Sequence, residues 1–355
     1  MCFRNASSNH VKLLIAAIIL VWVWLLYVAF DGTQYHLLSS GLRISGKSSH
    51  IDFLPLAEAR EFCRVRRWPV YPYRHARRKI YDLLLVNTEL EWLEIRMGQM
   101  NDQVDYFVVV EASKTFTDTE KPLLVRENWQ RFKRYHHKII LHTLDIDGVE
   151  FENAWARERF SRNAMYGQVI PRLTGEREAF QGDVIIVSDI DEIPRPDALK
   201  ALRNCEFPRE VTLRTKMYYY GFQWLERGDW LHPQATYYDM ERTVLPDDLR
   251  RSNGAHLYHA GWHCSYCFST VEEMVVKIKS FSHQELDRDE FKDKEQILNR
   301  VRNGTDLFGR DDVRFDRVED NPDVPEFILN QKDRYNYLID RDPPNANFRD
   351  YTVRE

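Results

Sequence analysis

Residues 183–196 read DVIIVSDIDEIPRP, an apolar run followed at once by a cluster of carboxylates. Val184 to Val187 has the length and composition of a buried strand, and Asp189, Asp191 and Glu192 follow its end. In an open α/β sheet, ligands bind beyond the carboxyl ends of the strands. Asp189 and Asp191 can point to the same side of an extended segment, where a cation would relieve their repulsion. The stretch therefore predicts an α/β fold with a ligand site at this strand end.

Apolar segments elsewhere in the chain support the same fold. Further strands are predicted at Ile80 to Val86, Tyr106 to Val110 and Ile139 to Leu144, with a helix at Glu89 to Met100. Later in the chain, the stretch from Thr270 to Glu273 has the form of a capping box before a helix with an apolar stripe. Short apolar strands that alternate with helices indicate a central, mostly parallel sheet covered on both faces.

The composition limits the class of ligand. The chain has 355 residues, of which 43% are hydrophobic, and a formal net charge of -5. The hydrophobic content is sufficient for a packed core, and the acidic net charge does not favour binding of nucleic acid. Two carboxylates suit Mn²⁺ or Mg²⁺, with water and phosphate oxygens completing the coordination. A bound diphosphate is therefore the natural ligand of the acidic strand end, and a solvated acidic loop is the plainer alternative.

The N-terminal region is predicted to tether the domain to a membrane. Residues 13–30 form an uncharged run of 18 residues, near the minimum for a membrane-spanning helix. Arg4 and Lys12 precede it, which favours a type II topology with the rest of the chain in the lumen. A cleaved signal peptide is the alternative. The predicted segments are a cytosolic tail (1–10), a signal anchor (11–30), a stem (31–78), a catalytic domain (79–340) and a C-terminal tail (341–355).

Four cysteines fall on the predicted lumenal side: Cys63, Cys205, Cys264 and Cys267. In an oxidising compartment they can form two disulfides in three ways, and the sequence does not choose among them. The Cys264-x-x-Cys267 pair alone has too few ligands for a structural zinc site. Asn303, in the sequon Asn-Gly-Thr, is predicted to be glycosylated.

Five stretches, taken together, are much more specific than any single motif. They are YDLLLVNTELEWLEIRM (81–97), YFVVVEASKTFT (106–117), KPLLVRE (121–127), the D-x-D-E-I-P run (189–194) and HLYHAGWHCSYCF (256–268). In combination they resemble glycosyltransferase family seventeen, the family of the bisecting N-acetylglucosamine transferases. The resemblance covers about residues 79–340. It implies a GT-A fold in a Golgi membrane protein, UDP-N-acetylglucosamine as donor, Mn²⁺ or Mg²⁺ as cofactor, and inverting β-1,4 transfer to a mannose of a glycoprotein N-glycan core.

The candidate site residues fall into four groups: metal-binding, donor-binding, catalytic and acceptor-binding. Asp189 and Asp191 would hold the metal and the donor, with Glu111 and Arg162 as further donor-binding residues. Asp293 is the first candidate for the general base, with Glu295 and Glu241 as alternatives, and Glu192 and His263 are further catalytic candidates. Trp224 and Trp262 are candidates for stacking on the acceptor sugar.

Two other functions fit parts of the sequence. A phosphohydrolase of the haloacid-dehalogenase type also places D-x-D after an apolar strand, although there the motif usually opens the domain. A catalytically inactive, membrane-tethered glycan-binding protein would keep the fold without turnover. Metal-dependent release of UDP from a sugar nucleotide distinguishes a transferase from both.

Overall fold

A computed structural model describes residues 53–146 and 148–352 of the chain. The predicted cytosolic tail and the signal anchor at 11–30 lie outside these residues. Within the described ranges, every helix is too short or too polar to cross a membrane.

The described residues alternate between strands and helices. The strands are β1 (Ile80–Val86), β2 (Tyr106–Glu111), β3 (Ile139–Thr143), β4 (Val184–Ser188), β5 (Glu192–Pro194), β6 (Val211–Tyr219), β7 (Gly221–Trp230), β8 (Gln234–Tyr237), β9 (Ala255–Ser265) and β10 (Phe315–Arg317). The α-helices are α1 (Leu56–Arg64), α2 (Leu90–Met100), α3 (Leu124–Glu127), α4 (Ala154–Ala164), α5 (Pro196–Asn204), α6 (Pro246–Arg250), α7 (Val271–Ser280), α8 (Asp289–Lys292), α9 (Lys294–Asn303), α10 (Glu326–Leu329) and α11 (Asn336–Ile339).

Four parallel strands form one half of the sheet, in the order β4-β1-β2-β3, with β3 at the edge. Their apolar side chains alternate between two cores. Leu84 and Ile186 pack on one face, and Leu83 and Ile185 pack on the other. Because successive side chains of a strand point to opposite faces, one continuous apolar run supplies both cores. The four predicted strands match β1 to β4 to within one residue, and their predicted parallel arrangement is confirmed.

Mainly antiparallel strands continue the sheet beyond β4. β8 pairs with β4, and the order continues through β6 and β7 to β10. β9 runs parallel beside β6 and also pairs with β5. α7 begins with the predicted capping box, in which the side chains of Thr270 and Glu273 each accept a hydrogen bond from the other's backbone N–H. The apolar face of α7 packs in a third core beside β6 and β7.

The domain includes parts of the segments predicted as stem and tail. α1 lies in the predicted stem, yet the disulfide Cys63–Cys205 joins it to the end of α5. Beyond residue 340, Arg341 is fully buried and its guanidinium donates hydrogen bonds to the carbonyls of Tyr220 and Phe268. Phe348 is also buried in the third core. Buried contacts of Cys63, Arg341 and Phe348 therefore hold these parts of the predicted stem and tail to the rest of the described domain.

The cysteine pairing left open by the sequence is resolved by the structure. Cys63 pairs with Cys205, 142 residues away, and Cys264 pairs with Cys267. The second bond joins Cys264, within β9, to Cys267 just after it, so both sulfurs of the C-x-x-C motif are used in a disulfide rather than as zinc ligands.

Candidate active site

A cavity of about 760 Å³ opens at the carboxyl ends of β1, β2 and β4. Each of these neighbouring strands contributes lining residues from its end: Val86, Asn87, Glu111, Ala112, Asp189 and Ile190. The size falls within the range of about 300–1,000 Å³ that is typical of small-molecule and cofactor sites. The position is the one expected for a ligand site in an open α/β sheet.

Several buried polar atoms in the cavity lining have no hydrogen-bond partner among the described residues. They are Lys121 Nζ, Tyr219 Oη, His263 Nδ1 and Tyr266 Oη. Buried polar groups in native proteins are nearly always paired, because an unmade hydrogen bond costs free energy. The lining is therefore suited to a polar ligand that supplies the missing partners.

A buried ion pair fixes the loop that carries the D-x-D motif. Asp82, in the middle of β1, accepts two hydrogen bonds of 2.7 Å from Arg96 of α2, and both side chains are fully buried. Arg96 also donates to the Ser188 hydroxyl and to the backbone carbonyls of Asp189 and Glu192. The guanidinium thus connects the central strand to both ends of the motif and sets the direction in which its carboxylates leave the sheet.

Asp189 and Glu192 share one arginine from α6. Arg250 donates to Asp189 Oδ2 at 2.9 Å and to Glu192 Oε2 at 2.6 Å. Arg162 of α4 donates to Asp189 Oδ1 at 3.0 Å, so both oxygens of Asp189 are engaged. Glu192 is fully buried and accepts three more hydrogen bonds, from Arg250 at Oε1, from Trp230 Nε1 and from the backbone N–H of Asp189. The predicted catalytic candidate Glu192 therefore holds the loop together and does not line the cavity.

The charges of this cluster depend on one another. Burial opposes ionisation of Asp189, but the Arg250 and Arg162 guanidinium groups lower its pKa well below the usual range. Burial likewise opposes ionisation of Glu192, and Arg250 nevertheless lowers its pKa to about 2. Both carboxylates are therefore ionised at neutral pH, and both depend on Arg250 for that state.

Asp191 has a different environment. It accepts a hydrogen bond of 2.9 Å from Lys277 Nζ of α7 at Oδ2, and its Oδ1 lies 3.7 Å from His263 Nε2. Burial opposes the charge on Lys277, but the Asp191 and Glu89 carboxylates raise the lysine's pKa above its usual range. Within the described part of the chain, Asp191 Oδ1 accepts no hydrogen bond, and the carboxylate lines the cavity. Asp191 is thus the motif aspartate with an oxygen left for a ligand.

Asp191 and Asp189 offer different surroundings to a divalent ion: the Asp191 side chain is 6% exposed and the Asp189 side chain is 46% exposed. In the described ranges, His, Cys, Asp and Glu side chains nowhere gather in a group of three or more that could hold a metal alone. Mg²⁺ and Mn²⁺ are commonly bound by one or two carboxylates together with substrate phosphates, which Asp191 Oδ1 can satisfy. Asp189 could bind a metal ion only after its ion pair with Arg162 or with Arg250 had broken, because both of its oxygens accept hydrogen bonds from these guanidinium groups.

The structure brings some of the predicted residues together and leaves others apart. Glu111, Arg162, Asp189, Asp191 and His263 all line the cavity. Glu111 accepts hydrogen bonds from the backbone N–H groups of Val125 and Arg126 at the start of α3, so it shapes the wall.

The proposed bases and acceptor residues lie elsewhere. Asp293 caps α9, and neither it nor Glu295 nor Glu241 lines the cavity. Trp224 donates its indole N–H to the Val301 carbonyl, and Trp262 donates to Asp323. Both tryptophans are buried in the core rather than in the cavity lining. Asn303 is exposed at the end of α9, and its glycosylation stays a prediction.

Sequence reasoning missed the residues that complete the cluster. They are Arg96, Trp230, Arg250, Lys277 and Glu226, and all but Arg96 line the cavity. The sequence contained one indication of this cluster. Asp82 is a charged residue inside the apolar run IYDLLLV, and a carboxylate buried there requires a cationic partner, which is Arg96.

The fold and the site define a class of protein. It is a mixed α/β protein with a D-x-D motif at the end of a central parallel strand, opening on a polar cavity of cofactor size. The sequence profile of glycosyltransferase family 17 matches residues 7–343, so the chain belongs to that family, as the resemblance predicted.

Two curated relatives carry the name beta-1,4-mannosyl-glycoprotein 4-beta-N-acetylglucosaminyltransferase. The Homo sapiens protein is 27% identical over 303 residues, which cover 75% of this chain and 56% of that protein. The Mus musculus protein is 26% identical over 303 residues, which cover 75% of this chain and 55% of that protein. The chain thus spans little more than half the length of these relatives.

Among solved structures, a mannosyltransferase from Pyrobaculum calidifontis in complex with GDP-mannose and Mn²⁺ is similar to part of the chain. It is 16% identical, with a TM-score of 0.26, over 44% of this chain and 42% of that chain. A score this low supports no conclusion about fold or function.

Proposed function

We propose that this chain is an inverting, metal-dependent glycosyltransferase with a GT-A fold. It would move N-acetylglucosamine from UDP-N-acetylglucosamine to a β-linked mannose of an N-glycan core, through a β-1,4 linkage. The observation that carries the proposal is the cavity at the ends of β1, β2 and β4, which combines the Asp191 carboxylate with buried, unpartnered polar atoms. Family membership and the names of the relatives support the choice of sugar and acceptor.

Basic side chains around the cavity suit the diphosphate of the donor. Arg162 and Lys277 each sit beside one aspartate of the D-x-D motif, and Lys121 presents a buried ammonium with no partner among the described residues. Hydrogen bonds from charged donors to phosphate oxygens are about twice as strong as neutral ones. We expect Arg162 and Lys277 to bind the diphosphate and Lys121 to contact an oxygen of the nucleotide.

Asp191, with phosphate oxygens of the donor, would hold a Mn²⁺ or Mg²⁺ ion, which supplies Lewis-acid stabilisation of the departing UDP. Side chains of the protein position the motif and the donor. Arg96 keeps the motif in place, and Arg162 and Lys277 orient the diphosphate and balance its charge. The acceptor hydroxyl attacks the anomeric carbon from the face opposite UDP, which turns an α-linked donor into a β-linked product.

A phosphohydrolase of the haloacid-dehalogenase type is disfavoured by the state of Asp189. In that class the first aspartate of the motif is the nucleophile and must reach the substrate phosphorus. Here both oxygens of Asp189 are held by guanidinium groups, from Arg162 and Arg250. The motif also follows the fourth strand of the described sheet rather than the first.

We also propose that the chain is a single-pass, type II protein of the Golgi membrane with its catalytic domain in the lumen. The two disulfides support an oxidising compartment. The anchor at residues 11–30 and the glycan at Asn303 are parts of the same proposal.

The experiment is a donor and acceptor screen with the full-length chain purified in detergent. UDP-sugars are supplied with Mn²⁺, with and without a defined N-glycan, and released UDP and extended glycan are both measured. We expect transfer only when UDP-N-acetylglucosamine and the N-glycan are present together. Glycan binding without transfer would instead support an inactive glycan-binding protein, and hydrolysis of phosphomonoesters would support the phosphohydrolase.

A further inference from the structure

We propose that Glu226 is the general base that accepts the proton of the acceptor hydroxyl, an inference that rests on the proposed transferase function. Glu226 lies on β7 and lines the cavity together with Asp191, Trp230 and His263. Glu226 was not among the candidates for the general base that were identified from the sequence.

The position of Glu226 on the sheet suits the acceptor rather than the nucleotide. The D-x-D motif follows the end of β4, whereas Glu226 lies on β7, which is separated from β4 by β6 and β8. Glu226 and Trp230 both lie on β7 and both line the cavity, on either side of a strand irregularity at which Gly228 has a positive φ. Trp230 packs against His263 with ring centroids 4.9 Å apart, and His263 in turn faces Asp191. The contacts along this wall run from Trp230 through His263 to Asp191, and His263 also acts electrostatically on Glu226.

Glu226 is also the cavity-lining carboxylate that is free to accept a proton. Across residues 53–146 and 148–352, its side chain makes no hydrogen bond and no ion pair, and it is half-buried. The other six carboxylates in the lining all have partners: Glu89 with the Asn87 and Thr88 backbone, Glu111 with the Val125 and Arg126 backbone, Glu158 with Arg162, Asp189 with Arg162 and Arg250, Asp191 with Lys277, and Glu285 with His283. A carboxylate already engaged by a cation is a weaker base than one without a partner.

The electrostatic environment of Glu226 agrees with this role. Burial raises the pKa of Glu226, and the Asp306 carboxylate adds to the rise. His263 from β9 and Arg310 from the loop after α9 oppose it without reversing it. A general base works best when its pKa lies close to the operating pH, and a raised pKa brings a glutamate closer to neutrality.

The reaction step balances with groups already named. The acceptor hydroxyl oxygen forms a bond to the anomeric carbon of N-acetylglucosamine, and the bond from that carbon to the UDP oxygen breaks. Its electron pair leaves with UDP, while the hydroxyl proton passes to the Glu226 carboxylate and then to water. The product is a β-linked glycoside and UDP.

The test compares Glu226→Gln and Glu226→Asp with Glu290→Gln in the full-length chain. Glu290 is an exposed carboxylate on α8 that pairs with Arg288 and does not line the cavity, so it is a matched control. We expect Glu226→Gln to lower kcat by about 100- to 10,000-fold, the usual contribution of a general base. UDP binding by calorimetry should be unchanged, and Glu226→Asp should keep part of the activity. Glu290→Gln should match the wild type.

The pH profile provides a second readout. The wild-type kcat/KM should fall as pH drops through the pKa of Glu226, which lies above the 4.5 of an ordinary glutamate. Glu226→Gln should lose this acidic limb. Full activity of Glu226→Gln, beside an active wild type, would overturn the assignment while leaving the transferase proposal intact. An inactive wild type that still binds UDP would overturn the transferase proposal itself. Should Glu226→Gln fail to fold, a Glu226→Asp variant with unchanged kcat and pH profile would equally refute the assignment.

Discussion

Replacing Arg250 by methionine should destabilise the domain strongly, because one guanidinium neutralises two carboxylates. Arg250 bonds to Glu192, whose side chain is fully buried, and to Asp189, and only 10% of the arginine side chain is exposed. Removing one partner of a buried pair typically costs about 3–5 kcal/mol, since the other charge is left uncompensated. We expect a loss in this range at neutral pH.

Arg227→Met is the control, because Arg227 belongs to an exposed ion pair. Its side chain is 75% exposed and pairs with Asp316, whose side chain is 50% exposed. Exposed pairs of this kind contribute about 0–1 kcal/mol. The measurement is chemical denaturation of both full-length variants, followed by tryptophan fluorescence. Equal, small losses in the two variants would refute the view that Arg250 holds the D-x-D loop.

The pH dependence of the loss follows from Glu192. In the wild type its pKa is lowered to about 2, so its stabilising contribution is present above 4.5 and lost only as pH falls toward 2. Without Arg250, burial should raise the pKa of Glu192 above 4.5, and protonation of the folded variant then relieves part of the cost. The difference in free energy of unfolding between Arg250→Met and wild type should therefore shrink as pH falls from about 7 to about 4.5.

Two further predictions concern the disulfides and the glycines. Replacing both Cys63 and Cys205 by serine frees a loop of 142 residues, and the gain in unfolded-state entropy should lower the free energy of unfolding by about 5 kcal/mol. The same substitution at Cys264 and Cys267, which are 3 residues apart, should lower it by about 1.5 kcal/mol. Thermal unfolding of both double variants measures the difference, and equal losses would contradict it. Gly304→Ala and Gly309→Ala both place alanine at positive φ, which costs about 1–2 kcal/mol. Only Gly304→Ala also brings a Cβ within 2.3 Å of the Trp224 ring, so overpacking should add about 1–3 kcal/mol to its loss of stability. Chemical denaturation of both variants measures the difference, and equal denaturant midpoints would refute it.

The sequence predicted the parts of the fold that depend on local patterns. Continuous apolar runs identified β1 to β4, and the capping box at Thr270 identified the start of α7. The same patterns placed Asp189 and Asp191 at a strand end, where the cavity lies. Each of these features depends on residues that are close in the chain, so periodicity and spacing were sufficient to find them.

The sequence did not predict the pairings that depend on distant residues. Arg250 is 61 residues from Asp189, and Lys277 is 86 residues from Asp191, so neither cation carries a local signal. Arg341 reads as part of a polar tail, yet its guanidinium bonds to buried carbonyls of the domain. Trp224 and Trp262 were expected in the site because aromatic rings suit sugars, but their indole N–H groups find partners in the core. Whether an aromatic or charged side chain faces a core or a cavity is decided by tertiary packing.

The most direct test of the central claim is transfer of N-acetylglucosamine from UDP-N-acetylglucosamine to a defined N-glycan, followed by mass spectrometry and linkage analysis of the product. We expect the full-length wild type, with Mn²⁺, to add one N-acetylglucosamine in a β-1,4 linkage to the core mannose. Asp191→Asn, which removes the open carboxylate oxygen, should lower this transfer by at least about 100-fold, comparable to the loss of a catalytic electrostatic group. Undiminished transfer by Asp191→Asn, or none by the wild type with any UDP-sugar, would contradict the account.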